Sequence, residues 1–328
     1  MRSGLVLKAK INLPFRLHFT LIAMHDCNYR VNGGVGLSVS SNNHFLEATY
    51  GKKNTLNFKG KCNDISKIVK ICSQLDDISR SLELKQSIDI VATGDYFFHV
   101  GLGTHTAIVL ACIELLMIMN KKSYTEDLII QLSGRGGTSG IGIKSYFSGG
   151  FVFDLGRKKD SKEYLPSSLS SRKKKPTTLI TLHFPEEWKI GLIIPHSNTL
   201  VYGNSELEFF KKVCPISSNA AHHACYISTF IITSSIIEND YINFCDGINA
   251  LRECEWKKSE INNQPNNLSS MLDISTFNPD CYGMSSFGPS IYFFHENADK
   301  IAEKYCASHG GNYIPLHICN SGRTICLN

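Results

Sequence analysis

The chain lacks most of the patterns that would place it quickly. Its twelve cysteines never fall as CxxC, and none stands in a zinc-like spacing with histidine. That excludes a zinc ribbon and a thioredoxin-type pair, leaves reduced thiols, and makes a disulfide framework unexpected at 328 residues. Charge is scarce and nearly balanced, with 19% charged residues and a formal net charge of +5. No basic stripe is interleaved with aromatics, so nucleic acid is not an expected partner, whereas a small anion is compatible with the mild positive charge. The longest apolar run, near residues 106–119, is too short to span a bilayer and contains Glu114, and Lys8, Lys10 and Arg16 interrupt the N-terminal stretch. No membrane or targeting segment is expected, and a cytoplasmic location is. The nucleotide fingerprints are missing too. Thr106 stands where the third glycine of GxGxxG would be, and the P-loop spacing from Gly137 to Gly142 is followed by Lys144, one residue late for GxxxxGK[ST].

What is present points to phosphate. HVGLGTHTAIVLACIELLMIMN, residues 99–120, runs from glycines and hydroxyls straight into an apolar helix. Gly101 and Gly103 leave room for a close ligand, Thr104 and Thr106 offer hydroxyls beside His105, and the helix start aims free N–H groups and a positive dipole end at the same spot. A tight turn capped by Thr106 would carry the same letters. A second loop, QLSGRGGTSGIGIKSYFSGGFVFDLG at 131–156, gathers five glycines between Gly134 and Gly142 around Arg135, Gly136, Gly137, Thr138, Ser139 and Gly140. It precedes a short helix and a strand ending at Asp154, which makes it a second anion cradle.

The N-terminal LVLKAKINLPFRLHFTLIA alternates as a strand, with Phe15, Leu17, Phe19 and Leu21 on one face and Arg16, His18 and Thr20 on the other. An arginine fork beside a histidine suits a carboxylate or phosphate, and a solvated outer face suits the same residues equally. NGGVGLSVS at 32–40, including Gly34, reads as a glycine-rich turn returning into a second strand. A helix over DISKIVKICSQLDDIS and a strand at SIDIVATG follow. The segment 156–178 is basic and serine-rich and reads as an exposed loop that could close on an anion. Beyond it, LITLHFPEEWKIGLIIP gives two strands, 205–260 is largely helical, and the tail forms a strand, a helix near 297–308 and a strand. Gly283, Ser285, Ser286 and Gly288 make a third small-residue loop. His222 and His223 are adjacent on a helix and do not share a face, so no structural metal is assigned.

The order GLGTHT, SGIG, GMSSFGPS resembles the three motifs of the GHMP kinase superfamily. RLHF, GGVGL, GLGTHTA, GRGGTSGIG with GGFVFDLG, PEEWKIGLIIP, YGNSELEFF, EWKK and MSSFGP together resemble the β-ribofuranosylaminobenzene 5′-phosphate synthase family over nearly the whole chain. The resemblance implies an α+β fold with a ribosomal S5 domain 2-like half at 1–178 and a ferredoxin-like half at 179–328. It also implies transfer of the 5-phosphoribosyl group of phosphoribosyl pyrophosphate (PRPP) to an aromatic or heteroaromatic carboxylic acid, with loss of CO2 and pyrophosphate. Mg2+ accompanying PRPP and a homodimer are expected with it.

On that reading Arg16, His18 and Asp154 are the catalytic candidates. Gly101, Gly103, Thr104, His105, Thr106, Arg135, Gly136, Gly137, Thr138, Ser139 and Gly140 hold phosphates, and Arg16, Gly34, Ser285 and Ser286 receive the acceptor. An ATP-dependent kinase is the alternative, and a silent relative that only binds phosphorylated ligands is a third. Many superfamily kinases carry a base in an SGxD segment, and here Gly142 takes the place of that aspartate. Losing a positioned base costs two to four orders of magnitude, so a kinase would need a substitute such as Asp154.

Overall fold

The computed structural model describes residues 8–136, 139–159, 164–165, 176–196, 200–264 and 267–327. Two sheets carry the fold. The larger is organised by the hairpin of β1 (Ala9–Ala23) and β2 (Arg30–Gly51). At 22 residues β2 is long enough to receive several partners in succession. β3 (Thr55–Lys59) runs parallel to β4 (Ser87–Thr93), and β4 pairs with β2 at Phe45–Gly51. β5 (Phe151–Asp154) pairs with Gly34–Leu37, and β6 (Arg157–Lys158) with Arg30 and Val31. β7 (Thr178–Leu182) extends the sheet beyond β5. The smaller sheet is antiparallel and is built from β8 (Ile190–Ile194), β9 (Cys281–Met284), β10 (Ile291–Phe294) and β11 (Asn312–Tyr313). The chain then returns to the larger sheet: β12 (His317–Ile318) pairs with β2, and β13 (Thr324–Leu327) pairs with β1. A division at residue 178 therefore cuts β7 and leaves β12 and β13 apart from the strands they pair with.

The helices are α1 (Ser66–Ser81), α2 (Thr104–Met119), α3 (Glu126–Ser133), α4 (Ile141–Phe147), α5 (Asn204–Val213), α6 (Ser218–Tyr226), α7 (Ser234–Glu238), α8 (Tyr241–Arg252), α9 (Glu255–Asn262), α10 (Asn267–Ser275) and α11 (Ala298–His309). A π-helical turn at Ile227–Thr233 joins α6 to α7. The resulting run, Ser218–Glu238, is long and apolar enough to cross a membrane. One face of it is packed, with Ala221, Ala224, Ile227, Ile232 and Ile236 buried, and the other leaves Tyr226, Phe230 and Ile237 exposed.

β1 is covered on both sides, by α2 and α4 and by helices of the second half, so its pattern is a nearly continuous buried run. The outer-face reading of Arg16, His18 and Thr20 is thereby corrected. His18 and Thr20 are buried. NGGVGLSVS is likewise not a turn. It lies inside β2, and the chain reverses earlier, between Ala23 and Arg30. Gly34 and Gly36 are there for close approach: a Cβ would stand 2.1 Å from the Thr20 carbonyl oxygen and 2.4 Å from that of Leu17.

α2 is buried on all sides, which explains its lack of a polar face. Its one charge is fully partnered. Glu114 accepts from Tyr124 and Tyr146 hydroxyls at 3.0 and 2.7 Å and from Arg323 Nε and Nη2 at 3.1 and 2.8 Å. That cluster ties the C-terminal segment to the core.

Candidate functional site

Three sequence-distant segments meet at the start of α2. Arg16 on β1 donates its backbone N–H to the Leu102 carbonyl at 3.0 Å and Nη1 to the Gly101 carbonyl at 2.9 Å. The same Gly101 oxygen accepts from Ser285 Oγ at 2.7 Å, and Ser285 Oγ accepts from the His18 N–H at 2.9 Å. Ser286 N–H returns a bond to the His18 carbonyl, and Ser290 N–H bonds the Val100 carbonyl. The strand, the GLGTHT loop and the MSSFGP loop are thus one hydrogen-bonded unit. Gly101 has φ +91°, and a Cβ there would lie 2.1 Å from the Ser285 oxygen. Gly103, the N-cap of α2 at φ +68°, would place its Cβ 2.7 Å from Arg16 Cγ. Both positions demand glycine.

Above this unit is a cavity of about 310 Å3. One side is the helix start. Ala107 is the first α2 residue whose N–H bonds the Gly103 carbonyl, so the amides of Thr104, His105 and Thr106 lie ahead of the helix's own ladder, at the positive end of its dipole. Thr104 Oγ1 is buried with no partner. Thr106 Oγ1 accepts from Arg135 Nε at 3.1 Å. Lys67, in the first turn of α1, completes a wall of cations with Arg16 and Arg135. Val201, Tyr202, Gly203 and Glu206, with Ser286, Phe287 and Gly288, complete the lining. Tyr202 stacks on His99, ring centroids 4.1 Å apart.

Burial sets the protonation states. It lowers Arg16 to about 10, still a cation at neutral pH. It lowers His99 to about 4 and His105 to about 3, so both are neutral. It raises Glu206 to about 7, with Arg16 pulling the other way. Behind the cavity, α9 holds a buried ion pair of Lys257 and Glu260. Lys257 Nζ donates to the Met284 carbonyl at 3.2 Å, and Glu260 is the foremost anionic neighbour of Arg16.

The structure brings together Arg16, Gly101, Gly103, Thr104, His105, Thr106, Arg135 and Ser286 on the cavity wall. Ser285 lies beneath them as the knot already described. The other candidates stand elsewhere. His18 is 3% exposed, does not line the cavity, has an unpartnered Nδ1, and is held neutral by burial beside Arg16 and Lys257. Asp154 sits under the second glycine loop, where Oδ2 accepts from the Gly140 N–H at 2.6 Å and Oδ1 from the Gly156 N–H at 2.7 Å. Burial raises it to about 6, but its oxygens are committed to backbone. Gly34 is buried in β2, opposite Leu21 and Asp154. Gly136, Ser139 and Gly140 support the loop without lining the cavity, and Gly137 and Thr138 lie outside the described residues, as does most of 156–178.

Sequence reasoning missed Lys67, His99, Tyr202, Glu206, Phe287 and the Lys257–Glu260 pair. Tyr202 and Glu206 stood in YGNSELEFF, and Lys257 in EWKK, both quoted without a role. Lys67 had no signal, since one lysine on an amphipathic helix resembles any other. Among the described residues, no group of three His, Cys, Asp or Glu could hold a metal ion.

No family model matches the chain. It is 32% identical over 317 residues to the β-ribofuranosylphenol 5′-phosphate synthase of Methanocaldococcus jannaschii, covering 90% of this chain and 94% of that protein. It is 30% identical over 295 residues to the protein of the same name from Methanothermobacter thermautotrophicus, covering 88% and 89%. Among solved structures it resembles the mevalonate kinase of Methanococcus jannaschii, with TM-score 0.63, 13% identity and coverage of 97% and 100%. It also resembles a putative homoserine kinase from Listeria monocytogenes, with TM-score 0.60, 14% identity and coverage of 98% and 99%. These kinases share the α+β fold, and the synthases share sequence over nearly the whole chain: the chain belongs to the β-ribofuranosylphenol 5′-phosphate synthase family, on a GHMP kinase-like fold.

Proposed function

We propose that this chain transfers the 5-phosphoribosyl group of PRPP to the carboxyl-bearing carbon of an aromatic or heteroaromatic acid, releasing CO2 and pyrophosphate. The observation that carries the reading is the cavity itself, a space of about 310 Å3 lined by the α2 start with its orphan Thr104 hydroxyl and by Arg16, Arg135 and Lys67. Phosphates fit the helix start, where backbone N–H groups and flanking cations favour them. Arg16 fits the acceptor carboxylate and holds it against the anomeric carbon until the new carbon–carbon bond makes its loss easy. Mg2+ fits as an ion carried by substrate phosphates and water, with Glu206 the one carboxylate on the cavity wall among the described residues. Bound so, it would neutralise the leaving pyrophosphate. The same reading carries a cytoplasmic homodimer, which light scattering of the purified chain and localisation of a tagged one would check.

The kinase reading is weaker for a geometric reason. A Cβ at Gly142 would lie 3.8 Å from Thr106 Cγ2 and 3.9 Å from Arg16 Cγ, so the aspartate of an SGxD segment would face the cavity from there. Gly142 offers no base, and Asp154 is tied beneath the loop. Incubating the protein with PRPP, Mg2+ and a panel of aromatic carboxylic acids, 4-aminobenzoate, 4-hydroxybenzoate and heteroaromatic acids included, tests the proposal. A product with the mass of the decarboxylated ring plus phosphoribosyl supports it. Phosphorylated product from ATP, with none from PRPP, would replace it with the kinase.

A further inference from the structure

One buried charge pair takes no part in the steps above. Lys257 and Glu260, one turn apart on α9, are 2% and 1% exposed and form an ion pair. Neither lines the cavity. Stability does not account for them, because replacing a buried ion pair by apolar residues of similar volume often leaves a protein as stable or more so. Their surroundings point to Arg16 instead. α9 packs on β1, the strand that carries Arg16, and Glu260 is the charge that acts most on the guanidinium, ahead of Glu206 and Arg135. Beyond Lys257, no donor among the described residues reaches either Glu260 oxygen, so its charge is not spent on backbone as that of Asp154 is. α9 is also fixed against the MSSFGP loop. Lys257 Nζ donates to the Met284 carbonyl at 3.2 Å, and Gln264 Nε2, just beyond the helix, donates to the Phe287 carbonyl. The two charges therefore hold a set place behind Arg16.

A carboxylate that must leave as CO2 makes conflicting demands on the cation that holds it. Once the ring carbon has bonded to the anomeric carbon, and pyrophosphate has left with the electron pair of its own bond, the bond to the carboxylate breaks. Its pair returns to the ring, and CO2 departs uncharged. An arginine that grips the carboxylate at full strength stabilises the bound acid more than the state in which that charge has moved into the ring. Only interactions stronger in the transition state than in the ground state raise kcat. We propose that Lys257 and Glu260 are positioning residues that set the strength of Arg16's hold on the acceptor carboxylate. Glu260 weakens the hold enough for CO2 to leave, and Lys257 limits that weakening so that the acid still binds. The inference rests on the transferase reading, with Arg16 as the partner of the carboxylate. It requires the two charges to act in opposite directions. A unit charge about 10 Å away, in an effective dielectric of about 20, is worth roughly tenfold in affinity.

The test measures, by calorimetry on the full chain, the binding of 4-hydroxybenzoate and of 4-hydroxybenzamide, which has nearly the same shape and no charge. Lys257→Met leaves Glu260 to Arg16 alone and should weaken the acid about tenfold relative to wild type. Adding Glu260→Gln to that variant removes the anion and should tighten the acid about tenfold relative to Lys257→Met. The amide should bind all three proteins alike. With PRPP and Mg2+, kcat for CO2 release and KM for the acid should both be lower in the double variant than in Lys257→Met, the split that a change in ground-state hold produces. Damage to the fold would instead move acid and amide together. Equal acid affinity in the two variants, or shifts that the amide shares, would overturn the proposal and leave the transferase standing. So would a double variant that binds the acid more tightly with no loss of kcat. A double variant that does not fold would mean that the charges serve stability, and would overturn it too. A wild type that releases no CO2 from any acid of the panel overturns the transferase reading and this proposal together.

Discussion

Replacing Gly103 with alanine perturbs the site at the left-handed N-cap of α2. The residue is left-handed, at φ 68° and ψ 14°, and an L-residue there costs about 1–2 kcal/mol. Its Cβ would also lie 2.7 Å from Arg16 Cγ, well inside ordinary contact, so the arginine stem must move. Moving it breaks the 2.9 Å bond from Arg16 Nη1 to the Gly101 carbonyl. A charge-assisted bond of that kind is worth about 1.5–3 kcal/mol, or roughly ten- to a hundredfold and more in an equilibrium. The variant should therefore lose about 1–2 kcal/mol in a urea titration at unchanged slope, and at least about tenfold in kcat/KM for the aromatic acid. Gly142→Ala is the control. Its Cβ would make ordinary contacts of 3.8 and 3.9 Å in helix α4, so it should stabilise by up to about 1 kcal/mol and leave turnover close to wild type. A Gly103→Ala protein with wild-type midpoint and kinetics would refute the account of this loop.

Two other substitutions separate binding from folding. Arg16→Ala should lower kcat/KM for the aromatic acid about ten- to a hundredfold while PRPP affinity by calorimetry stays nearly intact. The reverse split would show that the arginine holds a phosphate. Arg323→Met breaks the pair with Glu114, which is 0% exposed, and leaves a buried carboxylate facing two tyrosines. It should cost about 3–5 kcal/mol in urea unfolding. Because Arg323 lies outside the cavity, PRPP binding of the folded fraction should not change.

What the sequence could reveal follows from how local each feature is. The α2 loop was readable because a glycine pair, hydroxyls and an apolar helix are consecutive, and the structure puts those residues on one cavity wall. β2 was misread because Gly34 and Gly36 look like turn residues, whereas their smallness serves carbonyls of β1, a pairing no local window contains. His18 alternates with Arg16 and shares its face, but the MSSFGP loop closes over it. Only a contact across some 270 positions decides that. Asp154 looked catalytic beside glycines, yet the same glycines offer it their amides. Glu206, Tyr202 and Lys67 reach the cavity from helices α5 and α1 and the loop before α5. Their roles depend on tertiary placement, which period and composition do not encode.

The most direct measurement is the fate of the acceptor's carboxyl carbon. With a carboxyl-labelled aromatic acid, PRPP and Mg2+, labelled CO2 and pyrophosphate should appear in a one-to-one ratio, with strict dependence on PRPP and none on ATP. Pyrophosphate released without labelled CO2, or labelled product formed only with ATP and retaining its carboxylate, would contradict the account.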